Sequence, residues 1–311
     1  MIVNQQALRG IYTGFKTLFN KAFDETKTQW EKVATKVPST TGEENYKWLG
    51  RIPRMREWIG DRQIQNLEAS DYTVKNKDFE LTVGVDRNDI EDDTIGLYNP
   101  VIQDIGQSSA TFPDELVFDL LKNGFKNKCY DGQPFFSDSH KVGKKFVSNK
   151  GKKKLTPESY AAARTAMMSL TDEKEKSLKI IPDILAVAPA NENMGKMILE
   201  ADQINGTTNT YKGTATLLVV PELAGADDAW YLLCTSKSLK PLIYQERKPP
   251  KFVSMTEETD QNVFMKKQYL YGVDGRSNAG YGFWQMAYGS TGEEAAPPTD
   301  DPTTEDPAAE E

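Results

Sequence analysis

Apolar residues recur at steps of three and four from Ile95 through Tyr98, Ile102, Ile105, Phe112, Leu116 and Leu120, with small Ser109 in the gap. That spacing lays them on one face of a long helix, Asn99 to Gly124. Asn99 before Pro100 is a start signal, and Lys122, Asn123 and Gly124 are a stop. At 1.5 Å per residue the run spans roughly 35 Å, a length that suits a strut. Pro113 interrupts it, and an interior proline costs about 3 kcal/mol. The run is therefore one bent helix, or two helices that meet at Thr111 or Phe112.

The period changes to two just upstream. Phe79, Leu81, Val83 and Val85 alternate with polar positions and predict a half-buried strand. Tyr72 and Val74 predict a shorter strand before it, and Asn76-Lys77-Asp78 a turn, so the pair reads as a hairpin. Ahead of it, Tyr46, Trp48 and Trp58 are mixed with Arg51, Arg54, Arg56 and Arg62. Trp, Tyr and Arg dominate interface energetics, so this stretch suits a surface that meets a partner, or a hairpin packed on its own domain. Residues 1–45 read as an arm. Leu8, Tyr12, Phe15, Phe19, Phe23 and Trp30 follow a rough helical spacing until Pro38 to Gly42 breaks it. Such an arm lies on its own core or on a neighbour.

Residues 129–154 read as irregular. From Leu155 the texture becomes α/β: a helix opened by Thr156-Pro157-Glu158, a buried strand at 184–188, a helix at 191–201, and strands at 215–220, 230–234 and 242–245. This predicts a compact second domain over 155–253. The stretch 262–289 predicts two strands with a turn at Asp274 to Asn278.

Composition changes the picture in three places. With 311 residues, 38% hydrophobic and 27% charged, the chain can bury a core and form roughly two domains. No apolar run approaches the roughly 18 residues of a membrane span, and Met1 to Asn4 lacks the features of a signal peptide. Synthesis in a reducing cytoplasm is expected. The net charge of −8 is concentrated at the end, where residues 291–311 carry eight carboxylates, four prolines and no basic residue. That tail is expected to be disordered. Without it, 38 acidic residues balance 38 basic ones, which is not the profile of a dedicated nucleic-acid binder.

Candidate chemistry is sparse. The acidic run Asp89, Glu91, Asp92 and Asp93 suits a divalent cation or, more simply, a helix start favoured by the dipole. Seven lysines between Lys141 and Lys154 can touch phosphate or form a solvated loop. Ser137, Ser139 and the lone His140 suggest a hydrolase, but adjacency in sequence does not make a triad. Cys129 and Cys234 carry no metal spacing, and there is neither a P-loop nor a dinucleotide fingerprint. No catalytic residue, cofactor or metal is expected, which favours an assembly protein.

Four segments together resemble the major head subunit of Mu-like phages: YKWLGRIPRMREWIGDR (46–62), FELTVGVDRNDIEDDTIGLYNP (79–100), YDGQPFFSDSH (130–140) and GVDGRSNAGYGFWQMAYGS (272–290). The resemblance implies an α+β chain with the Hong Kong 97 type capsid fold. Residues 1–45 would be the N-arm and 46–86 an extended hairpin loop over a neighbouring subunit. Residues 87–154 and 254–290 would form the peripheral domain with its spine helix, 155–253 the axial domain, and 291–311 the tail. The chain would then be a capsid protein in the virion head, made in the host cytoplasm, forming pentamers and hexamers of a shell. Scaffold, portal and decoration proteins and non-specifically held DNA would be its partners, with no membrane. Trp48, Arg51, Arg54, Arg56, Trp58 and Arg62 would meet a neighbour's Asp89, Glu91, Asp92 and Asp93. Rival readings are a cellular encapsulin-like shell protein, a hydrolase using Ser137 and His140, and a nucleic-acid binder using the lysine loop.

Overall fold

The computed structural model describes residues 4–47, 49, 71–92 and 94–293. The chain opens with α1 (Gln5–Glu25), α2 (Trp30–Val33), β1 (Ala34–Pro38), β2 (Glu43–Asn45), β3 (Thr73–Lys75), β4 (Lys77–Asp86), α3 (Arg87–Glu91) and the long α4 (Asn99–Asn123). Next come β5 (His140–Val142), β6 (Lys145–Val147), β7 (Lys150–Gly151), α5 (Pro157–Met168), β8 (Ile184–Val187), α6 (Glu192–Leu199), β9 (Gln203–Ile204) and β10 (Thr207–Thr208). The last elements are β11 (Thr216–Val219), β12 (Trp230–Leu233), β13 (Leu242–Met255), α7 (Gln261–Lys266), β14 (Gln268–Tyr281) and β15 (Ala287–Ser290).

Two sheets organise the molecule. One has four strands in the order β1-β13-β14-β4, and the other has five in the order β11-β8-β12-β15-β7. In the five-stranded sheet β8 and β12 are central and buried at every position. Their residues alternate between two cores. Ala186, Tyr231 and Leu233 face one that contains Val117, Phe118 and Leu121 of α4. Leu185, Val187, Trp230 and Leu232 face another, covered by Tyr160 and Met167 of α5 and Ile198 of α6. Helix α5 starts as its sequence predicts: Thr156 and Ser159 form a reciprocal capping pair that brackets Pro157.

A third core lies under the four-stranded sheet, where Phe252, Tyr269, Tyr271 and Val273 pack against Ile102 and Ile105 of α4 and Leu8, Phe15 and Phe19 of α1. Helix α4 is thus one continuous helix, with Pro113 buried inside it, whose two halves serve two cores. Its buried face differs from the stripe read in the sequence. Phe112, Leu116 and Leu120 are half-buried, while Gly106, Ala110, Pro113, Val117, Phe118 and Leu121 are buried. Small residues carry part of that face because α1 approaches closely. A Cβ on Gly106 would lie 2.7 Å from the carbonyl oxygen of Phe19. Gly124 ends the helix in right-handed backbone, and its missing side chain makes room for the Phe136 ring.

Three expectations are corrected, and the alternative left open for the arm is resolved. The strand at 77–86 does not form a hairpin with 73–75: β4 pairs antiparallel with β14, and β3 pairs with β2. Residues 268–281 form one strand straight through Asp274 to Asn278, because cross-strand partners on both sides hold them extended. The strand after them, β15, joins the five-stranded sheet beside β12, and β7 from the lysine-rich segment extends that sheet. The arm lies on its own core. Helix α1 buries Phe15 and Phe19, and β1 runs parallel to β13 as an edge of the four-stranded sheet. Each buried phenylalanine contributes about 1.5–3 kcal/mol, so the arm is an integral part of the subunit.

Candidate assembly interface

The described residues on either side of 50–70 are joined by the short ladder of β2 and β3, and a buried polar network ties that ladder to β13. Gln245, fully buried on β13, donates to Asn76 Oδ1 at 2.7 Å and to the Val74 carbonyl at 3.1 Å. It accepts from the Tyr46 hydroxyl at 2.8 Å. Asn76 in turn donates to Ser39 Oγ at 2.8 Å and to the Thr41 carbonyl at 2.9 Å. Glu44 gathers the Thr40 N–H at 2.8 Å, the Ser39 hydroxyl at 2.9 Å and the Thr41 N–H at 3.2 Å. Those bonds, the Thr40 N–H first, hold its carboxyl below the usual range. Tyr72 closes the root: its hydroxyl accepts the Tyr281 N–H at 2.8 Å, and burial pushes its pKa up to about 12. A root whose polar groups are satisfied in this way holds both flanks of residues 50–70 in fixed positions. Tyr46, Tyr72 and Asn76 are legible in the sequence as interface, strand and turn residues, but the network is not, since its partners lie up to 209 positions apart.

Trp48, Arg51, Arg54, Arg56, Trp58, Arg62 and Asp93 lie outside the described residues. Asp86 caps α3 by accepting the Asn88 N–H at 2.8 Å, so the acidic run opens a helix. Asp89 accepts from the Tyr98 hydroxyl, and Glu91 pairs with Arg87 at 2.8 Å. Asp92 is exposed. The structure therefore brings Asp89, Glu91 and Asp92 together on one short helix and its end, with two of the three engaged inside the chain.

Two apolar surfaces escaped the sequence reading. At the far end of the four-stranded sheet, Val253, Met255, Phe264 and Met265 are exposed, Phe264 at 79%. Near the start of α4, Leu97 is 74% exposed beside Val101. The signal lay in Phe264-Met265, an apolar pair in a helix of only six residues. A groove of about 250 Å³ runs between α4 and the edge strand β4, lined by Phe79, Leu81, Phe112 and Pro113. Edge strands are ready templates for pairing with another chain.

Hydrolytic geometry does not form at His140. Its ring is fully buried and stacked on Trp284, with centroids 4.0 Å apart and planes 5° apart. Nδ1 lies 2.6 Å from Asp131, and Nε2 faces Asn149 Oδ1 at 3.1 Å and the Phe135 carbonyl at 3.3 Å. The hydroxyls of Ser137 and Ser139 bond to each other instead, at 3.3 Å. Burial works to raise the Asp131 pKa, but the bond to His140 and its charge outweigh this and hold it low. Burial pushes the Cys129 thiol up. The lysine-rich segment is partly committed: Lys145 pairs with Glu175, Lys154 reaches Asp228 at 3.5 Å, and Lys150 lies over the Phe125 ring. Among the described residues, no helix is long and apolar enough to cross a membrane.

The family described as the Mu-like prophage major head subunit gpT matches residues 8–154, 146–223 and 222–297. The chain is 36% identical over 290 residues to the Mu-like prophage FluMu major head subunit of Haemophilus influenzae, covering 93% of this chain and 75% of that protein. It is 35% identical over 293 residues to the major capsid protein of Escherichia phage Mu, covering 94% and 76%. Its structure is similar to a chain of the procapsid of bacteriophage JBD30, with a TM-score of 0.61 and 37% identity over 94% of this chain and 77% of that one. A virus-like particle from Pyrococcus furiosus shares the fold at 8% identity, with a TM-score of 0.53 over 89% and 98% of the chains.

Proposed function

The chain belongs to the family of the Mu-like prophage major head subunit gpT, and we propose that it builds a phage head by binding copies of itself through surfaces its own fold leaves uncovered. It is a major capsid protein with the Hong Kong 97 type fold, and it works as part of a multimeric shell.

The four-stranded sheet with α1 and α4 serves as the peripheral part, and the five-stranded sheet as the axial part, gathered in pentamers and hexamers. The pairing of β15 and β7 supports assigning both to the axial part. The segment 46–72 reaches a neighbouring subunit from its fixed root. There Trp48 and Trp58 supply buried area, while Arg51, Arg54, Arg56 and Arg62 meet the acidic end of the neighbour's α3. Within that patch Asp92 and Asp93 carry the pairing, since Asp89 and Glu91 already hold Tyr98 and Arg87. A second copy also covers Phe264, Met265, Val253 and Met255, a patch that costs solubility in a free chain.

The shell contains DNA without reading it, as the balanced charge outside the tail suggests, and its exposed lysines between 141 and 154 face the lumen. Scaffold, portal and decoration proteins meet it during assembly in the host cytoplasm. The role is structural rather than catalytic, a reading supported by His140 facing Asn149 instead of a serine hydroxyl.

The observation that carries the reading is the family match running from residue 8 to 297. Electron microscopy tests it, with the purified chain concentrated alone and together with the head proteins of its own genome. Shells, tubes or capsomer rings are expected. A monodisperse single chain under both conditions overturns it.

A further inference from the structure

Three donor atoms of different chemistry converge below the turn that precedes β5. Cys129 Sγ, a carboxylate oxygen of Asp131 and a ring nitrogen of His140 all lie within 4.8 Å of one another. Asp131 sits between the other two, with Oδ1 3.2 Å from the sulfur and Oδ2 2.6 Å from Nδ1. None of the three belongs to the interface residues proposed above.

The far side of the imidazole is held by Asn149. Asn149 Nδ2 donates to the carbonyls of Phe135, Trp284 and Ala287 at 2.8, 3.2 and 3.1 Å, and Asn149 Oδ1 accepts the Ser137 N–H at 2.9 Å. The amide therefore cannot be flipped, and Oδ1 faces Nε2 as an acceptor. On its other side Nδ1 faces Asp131 Oδ2 at 2.6 Å, so the ring is held edge-on between the amide and the carboxylate, with the Cys129 sulfur beside it.

We propose that Cys129, Asp131 and His140 form a binding site for a divalent transition metal of the zinc class. Thiolate sulfur, imidazole nitrogen and carboxylate oxygen together are a zinc donor set, with water completing four-coordination. The ring is oriented as metal-bound histidines are, by an acceptor on its other nitrogen, and it is clamped against Trp284. The path in runs past Asp131, whose side chain keeps 19% of its exposure, while that of His140 has none. On binding, the thiol proton leaves to solvent and a metal–sulfur bond replaces the S–H bond. The metal would pin the turn after α4 beneath the segment joining β14 to β15, where the two sheets meet.

The experiment is a cobalt(II) titration of the tag-free full chain, read by absorption. One equivalent per chain is expected to give a thiolate-to-cobalt charge-transfer band with intense visible bands of a four-coordinate ion, and zinc displaces both. Cys129→Ser removes the charge-transfer band. Asp131→Asn, at a partly exposed position, weakens binding by about tenfold or more. Cys234→Ala leaves the band in place. Zinc raises the melting midpoint of the unsubstituted chain and not that of Cys129→Ser. Absence of the charge-transfer band from the folded, unsubstituted chain overturns the proposal. Survival of the band in Cys129→Ser overturns it as well.

Discussion

Asp114 Oδ1 accepts the backbone N–H of Trp30 at 2.6 Å, and the same oxygen takes the N–H of Gln29 at 2.9 Å. One carboxylate in the middle of the spine helix thus caps α2 and fastens the arm to the body. Burial pushes its pKa up, against the two amide bonds that pull it down. Asp114→Ala leaves buried amides without an acceptor, at a cost of about 1–3 kcal/mol. Asp114→Asn keeps a carbonyl there and loses less. Urea unfolding of the two variants checks the ranking, and equal losses would place the effect elsewhere.

The loop root carries a pH dependence with a defined sign. The Glu44 carboxyl is held below its ordinary 4.5, chiefly by the Thr40 N–H and then the Ser39 hydroxyl. A depressed acid stabilises the fold fully above its unfolded value, and that contribution disappears as pH falls through the folded value. Unfolding curves of the unsubstituted chain and Glu44→Gln should therefore differ at neutral pH and converge well below pH 4.5. A constant gap across that window would refute the assignment.

What could be read from residue order follows from where each partner lies. Ile184 to Val187 and Trp230 to Leu233 are continuous apolar runs, and a strand buried on both faces writes itself that way. Asp274-Gly275 reads as a turn. It stays extended because Glu80 and Phe79 pair with it on one side and Lys248 binds Asp274 on the other. The arm was ambiguous because the rings that receive Phe15 and Phe19, Tyr271 and Phe252, lie more than 200 residues away. The Gln245–Asn76–Ser39 network left no pattern, since isolated polar residues in three separate segments have no period.

The apolar tip offers a separation of folding from assembly. Phe264 is 79% exposed, so Phe264→Ser removes little buried area and should change stability by no more than about 0.5 kcal/mol. If a neighbouring copy covers the tip, the same change lowers particle yield sharply. Calorimetry of the variant, paired with sedimentation of assembly products, reads both. Normal particle yield would show that the tip stays in solvent.

Truncation has a structural limit. The Thr291 N–H donates to the Gly151 carbonyl at 3.1 Å, which ends the last strand, so a cut before residue 291 removes a ladder contact. Deletion of residues 294–311 spares it. Particles of normal size and stability are expected from that deletion. Failure to assemble would give the acidic tail an active role.

Charge reversal tests the pairing proposed between subunits. Arg54→Glu with Arg56→Glu places two carboxylates against a neighbour's Asp92 and Asp93, where like charges in contact repel instead of setting register. Assembly should fall most at low ionic strength and recover partly with salt, because exposed charges are screened within about 10 Å at 0.1 M. Adding Asp92→Lys to the double variant restores opposite signs and should recover assembly, although Asp92→Lys alone weakens it. Asp92 is exposed and beyond the end of α3, so the substitution leaves the Asp86 cap, the Tyr98–Asp89 bond and the Arg87–Glu91 pair intact. Particle counts across the four combinations form a double-mutant cycle. A coupling near zero, with each change acting alone, would remove Asp92 as the partner of these arginines.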